Sequence, residues 1–126
     1  MELKLLPWEL TVCQPENMED IDFEAEPVFL GKTDGELSLV CPTERCPART
    51  AAREDGWRAM RIEGVLDFSL IGILAKLAGV LAEAGVGIFA VSTYNTDYIL
   101  VKAEQLTRAQ SALAAAGYIF VDGAAE

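Results

Sequence analysis

Trp57-Arg58-Ala59-Met60-Arg61-Ile62-Glu63-Gly64 alternates apolar and polar side chains, the two-residue period of a half-buried strand. Asp67-Phe68-Ser69 follows as a helix start, in which Asp67 or Ser69 can cap the first turn. Leu70, Ile73 or Leu74, Leu77 and Leu81 then recur at helical spacing, and Gly85 marks the stop. Residues 86–93 read as a strand, 94–96 as a short turn and 97–101 as the next strand. A second amphipathic helix is expected over 106–116, ending at Gly117, with a last strand over 118–121. The order is βαββαβ, in which two helices cover one face of a four-stranded antiparallel sheet. The fold class read from it is α+β, ferredoxin-like.

Toward the N-terminus, residues 3–13 hold two extended apolar pieces around Pro7, which belongs at an edge or a bulge. An acidic turn spans 14–20. Strands over 27–32 and 36–40 flank Thr33-Asp34-Gly35, a hairpin signal. Residues 42–55 read as a linker with a short helical turn over 50–54, punctuated by Gly56. This half supplies strands but little helix. The expected organisation is a stunted copy of the unit over 1–56 beside the full unit over 57–126.

The chain has 126 residues, 52% of them hydrophobic, enough for a real core. Its 20 acidic and 10 basic residues give a net charge of −10, which argues against nucleic acid and anionic membrane surfaces as partners. There is no histidine, hence no imidazole base and no histidine metal ligand. The three cysteines, Cys13, Cys41 and Cys46, read as reduced thiols of a cytoplasmic protein. Cys41 and Cys46 fall short of the roughly four ligands of a zinc site, and no metal or cofactor is expected. The N-terminus lacks a secretory pattern, and the longest apolar stretch, 70–82, is too short to span a bilayer. Neither G-x-S-x-G nor S-x-x-K occurs, and the glycines do not follow a P-loop or dinucleotide spacing. An enzyme is not expected.

Two segments carry polar chemistry. At the first long helix, the N–H groups of Leu70, Ile71 and Gly72 are expected to lack partners at the positive end of the helix dipole, where a carboxylate is a natural guest. The residues alone favour the simpler reading, in which Asp67 and Ser69 cap the helix and Gly72 permits close packing. The second segment, Ser92-Thr93-Tyr94-Asn95-Thr96-Asp97, crowds polar side chains into a glycine-free turn. Asp97 can meet a ligand cation there, with Ser92, Thr93, Asn95 and Thr96 offering hydrogen bonds; the alternative is an ordinary turn. Arg45, Arg49, Arg58 and Arg61 read as solvated surface charges.

Residues 64–74 and, more specifically, 88–101 with the S-T-[YF]-x-T-D run at 92–97 resemble ACT domains. The resemblance is to small bacterial tandem-ACT proteins, to the arginine-sensing ACT proteins of animals and, more distantly, to aspartokinase regulatory domains. Glu36-Leu37-Ser38-Leu39-Val40-Cys41-Pro42 is similar to the N-terminal half of the bacterial group. The resemblance implies an ACT-type fold with a degenerate N-terminal ACT-like half, association as a homodimer, and amino-acid binding at an interface between ACT units, within the chain or across a dimer. It also turns the two polar segments into ligand-site candidates, with a carboxylate at the place of Asp97 meeting the ligand's cation. The expected function is a regulatory amino-acid-binding module acting through an unidentified partner protein. The alternative is a protein–protein interaction or self-association module with no ligand.

Overall fold

The computed structural model describes residues 1–64 and 71–121. It is a mixed α+β structure of ferredoxin-like type. Among the described residues, eight strands, β1 (Glu2–Leu5), β2 (Leu10–Pro15), β3 (Phe29–Lys32), β4 (Leu37–Pro42), β5 (Thr50–Ile62), β6 (Phe89–Ser92), β7 (Asp97–Lys102) and β8 (Ile119–Phe120), are accompanied by two α-helices, α1 (Ile73–Glu83) and α2 (Leu106–Ala115). They form two compact units, one of residues Trp8–Trp57 and one of Met1–Pro7 with Arg58–Glu126.

In the unit of residues 8–57 the strands pair in the order β3-β4-β2-β5, using the first half of β5. Read in chain order this is the ferredoxin-like arrangement, with short 3₁₀ turns at Met18–Asp20 and Thr43–Arg45 where helices would stand. The short helical turn expected over 50–54 is not formed. These residues are extended, because β2 supplies a ladder that pairs Cys13 with Arg53 and Gln14 with Ala52.

In the other unit the order is β6-β7-β5-β1-β8, with both helices on one face. Both ladders of β1 differ from expectation: it lies antiparallel to β5 (Leu3 opposite Ile62) and parallel to β8 (Leu3 opposite Phe120), so five strands stand where four were expected. Leu3, Leu5, Met60, Ile62, Ile99 and Val101 point to the same side and meet Leu77 and Leu81 of α1 and Ala109 and Leu113 of α2. The strand periodicity of two and the helix periodicity of three or four thus converge on one core.

The two units share a hairpin. β3 pairs with β4 (Phe29 opposite Val40, Lys32 opposite Leu37), and β6 with β7 (Phe89 opposite Leu100, Ser92 opposite Asp97), each position sixty residues on (29 to 89, 40 to 100). The turns close alike: the Thr33 N–H donates to Glu36 O at 3.0 Å, and the Thr93 N–H to Thr96 O at 2.9 Å. In each, the threonine hydroxyl also accepts from the N–H three residues on, at 3.1 and 3.4 Å. An Asp-Gly turn and a glycine-free turn therefore reach one geometry, because the threonine hydroxyl does the work that glycine does in tighter turns.

Candidate functional site

Of the residues read as a ligand site, Asp67, Ser69 and Leu70 lie outside the described residues. The helix itself starts later than the sequence suggests. Gly72 is its N-cap, with φ of 81°, and no side chain caps it. This left-handed backbone favours glycine. The first intrahelical bond runs from the Lys76 N–H to Gly72 O at 2.9 Å. The N–H groups without a helix partner therefore run from the N-cap Gly72 through Ile73 and Leu74 to Ala75, so of the three expected ones Gly72 is among them.

Ile71 is 91% exposed and Gly72 is exposed. Together with Lys76, Met1, Gly117 and Tyr118 they border a pocket of about 290 Å³. The sequence reading missed Lys76, Met1 and the 116–118 turn, which only the fold brings to this helix end. No acidic residue stands in the first turn of α1, and the Lys76 ammonium adds to the positive field of the helix end.

The 92–97 segment sits at the same end of this unit. The Thr96 hydroxyl donates to Ile62 O, the last residue of β5, at 2.7 Å, and Thr96 is buried. The Thr93 hydroxyl donates to Thr96 O at 3.0 Å. Both threonines are thus committed to backbone. Asn95 is exposed. Ser92 Oγ donates to Asp97 Oδ1 at 2.6 Å, and Asp97 is half-buried. Asp97 lies two residues before Ile99 and four before Val101, both core residues, so the strand alternation places it on the helix side of the sheet. Among the described residues no cation pairs with it.

The arginines are mostly spoken for. Arg61 Nε donates to Glu63 Oε2 at 2.7 Å, which holds its guanidinium above the usual arginine range. Arg58 Nη2 donates to Leu6 O at 3.0 Å. Arg45 pairs with Asp22, Arg49 with Asp20 at 3.4 Å, and Arg53 with Asp55 at 2.8 Å.

In the unit of residues 8–57 the three thiols meet. Cys13 on β2 and Cys41 on β4 share a face, since Cys41 opposes Thr11 and Cys13 opposes Leu39. The 3₁₀ turn at Thr43–Arg45 returns the chain so that Cys46 Sγ lies 3.9 Å from Cys13 Sγ. All three sulfurs lie within 4.8 Å of one another. Burial, then the neighbouring Cys46, pushes the Cys13 and Cys41 thiols up to about 12, which makes both poor nucleophiles.

Residues 52–115 match the family described as "ACT domain". The chain is similar to the X-ray structure of a protein from Agrobacterium tumefaciens: 31% identity, 95% of this chain and 91% of that one covered, and a TM-score of 0.81. It has the fold of the regulatory subunit of aspartate kinase from Thermus thermophilus, at 13% identity, covering 91% of this chain and 96% of that one, with a TM-score of 0.62. A curated relative from Homo sapiens is named cytosolic arginine sensor for mTORC1 subunit 1. It is 42% identical over 53 residues, which are 41% of this chain and 16% of that protein. The chain thus matches a minor part of that relative's length. Among the described residues, no helix is long and apolar enough to cross a membrane.

Proposed function

We propose that this chain, which belongs to the ACT domain family, is a regulatory module whose ligand is a free amino acid bound at one end of the C-terminal unit. One observation carries the reading. The start of α1 and the Ser92–Asp97 turn offer opposite fields, and both lie at the end of the sheet where β5 finishes. The ligand carboxylate meets the first-turn N–H groups of α1 beside Gly72, with Lys76 near. The cationic group faces Asp97, and Ser92 and Asn95 border it.

Met1 precedes β1 and Asp97 opens β7, and these strands flank β5 on its two sides. Two strand spacings are about 10 Å, a span that suits a long cationic side chain better than a short neutral one. Arginine and lysine are therefore the first ligands to test, and the relative named as an arginine sensor gives the same priority. A thermal-shift screen of the common amino acids tests the reading. At one hundred times its dissociation constant a ligand adds about 2.7 kcal/mol to folded-state stability. A screen without any shift removes the proposal and leaves the interaction-module alternative.

In the same reading the half that ends near residue 56 is a degenerate ACT-like copy; the strand order, shared apart from the inserted β1, and the matching hairpin support it. Self-association as a homodimer belongs to the proposal too, because β8 leaves an edge with Ile119 59% exposed. Light scattering is expected to give twice the monomer mass; a monomer at high concentration rules the dimer out.

A further inference from the structure

The geometry points to a metal site in the N-terminal unit: Cys13, Cys41 and Cys46 form a three-thiolate site for a thiophilic divalent cation of the zinc class. Four observations carry it. The sulfurs already converge, with all three within 4.8 Å of one another and Cys13 3.9 Å from Cys46. A metal held at about 2.3 Å from each sulfur sets them about 3.8 Å apart in a tetrahedral arrangement and about 4.0 Å in a trigonal one. One pair is at that separation and the widest closes by less than about 1 Å, within reach of side-chain rotation alone.

The ligand set comes from rigid parts. Two of the sulfurs stand on adjacent paired strands, and the third follows a 3₁₀ turn whose Cys46 N–H is tied to Thr43 O at 3.2 Å. Thr43 is itself held by Thr11, whose hydroxyl accepts from Thr43 Oγ1 at 2.9 Å and donates to Asp55 Oδ1 at 2.7 Å. Cys46 is half-buried while Cys13 and Cys41 are buried, so the site opens to solvent on one side. Water can fill a fourth position there, as in zinc sites with three protein ligands.

Charge selects the ion. Arg53, which opposes Cys13 on the neighbouring strand, is paired with Asp55, and the two cancel. Three thiolates then leave a residual charge of −1 with a divalent ion and −2 with a monovalent one. In a mostly buried site the smaller residual is favoured. On binding, three S–H protons pass to solvent as three metal–sulfur bonds form; no oxidant is involved.

The last observation is what the thiols replace. Val101, sixty residues after Cys41 in the matching hairpin, packs into a core roofed by two α-helices. In the N-terminal unit the described α-helices are absent, and its small core holds Cys13, Ile21, Leu39 and Cys41. A unit this small gains from a staple, and a metal supplies one.

The test uses the full chain, reduced and freed of metal, titrated with Co²⁺ as a spectroscopic probe and then with Zn²⁺ in competition. The expected result is a thiolate-to-cobalt charge-transfer absorption that saturates at one ion per chain and is bleached by Zn²⁺. Cys46→Ser, at the half-exposed position, is expected to keep its circular dichroism spectrum and bind at least about 100-fold more weakly, since losing a direct ligand costs no less than losing an outer-sphere partner. Three results overturn the site: no charge-transfer band, unchanged binding by a folded Cys46→Ser, or a Cys13–Cys46 disulfide persisting under the reducing conditions used. If Cys46→Ser fails to fold, the wild-type titration alone decides, since binding through carboxylates gives no thiolate band.

Discussion

Leu81→Ala is expected to lower the unfolding free energy by about 2–5 kcal/mol, the usual range for emptying a packed leucine site. Leu81 is fully buried and joins Leu77 on the face of α1 that meets Met60, Ile62 and Ile99. Alanine is the better helix former, so any loss comes from packing and a residual cavity rather than from helix propensity. Leu81 O also accepts the Val86 N–H at 2.9 Å, a bond the substitution keeps. Urea unfolding followed by circular dichroism gives the number. Lys76→Ala, at an exposed position of the same helix, serves as the control and should change stability by less than about 0.5 kcal/mol. A loss below about 1 kcal/mol for Leu81→Ala would mean that α1 is not seated on this sheet as described.

The second large effect is on binding. Asp97→Ala should weaken the amino acid found by the screen by about tenfold or more, because a charge-assisted contact is worth about 1.5–3 kcal/mol. The fold should survive the change. The turn is held by Thr93 with Thr96 and by Thr96 with the Ile62 carbonyl, and neither bond involves Asp97. Removing the carboxylate frees the Ser92 hydroxyl, which is exposed and finds water instead. Asp97→Asn keeps the shape and the acceptor and removes the charge, so calorimetry on both variants separates charge from packing. Normal affinity in Asp97→Ala, or a variant that simply unfolds, identifies Asp97 as a turn residue.

Much of the C-terminal unit was legible because its signals are local. The alternation from Trp57 to Ile62 and the leucines of α1 each identify their own element and face. The stretch before Trp57 gave no such signal. Residues 51–55 are all exposed, so Ala51 to Asp55 carries no apolar alternation, and only pairing with β2 makes it a strand. The helix start was misplaced for a related reason. Asp67 and Ser69 look like caps, yet Gly72 ends the approach in a left-handed conformation that composition alone does not announce. Non-local neighbours were invisible altogether. Cys13 lies 33 residues from Cys46, and no spacing rule brings them together. Lys76 was likewise an ordinary surface residue until the 116–118 turn came beside it.

The position of β1 has a consequence for synthesis on the ribosome. Glu2–Leu5 is made before its partners, which are Met60–Ile62 and, on the other side, Ile119 and Phe120. Residues 8–57 form an uninterrupted stretch whose ladders are all internal, so they can fold as soon as they leave the exit tunnel. β1 must wait for β8, made more than a hundred residues later, before both of its ladders can form. At about 5–20 residues per second the wait is on the order of ten seconds. Over that interval β1 lacks its second ladder, and the C-terminal unit is closed only when strands far apart in sequence meet.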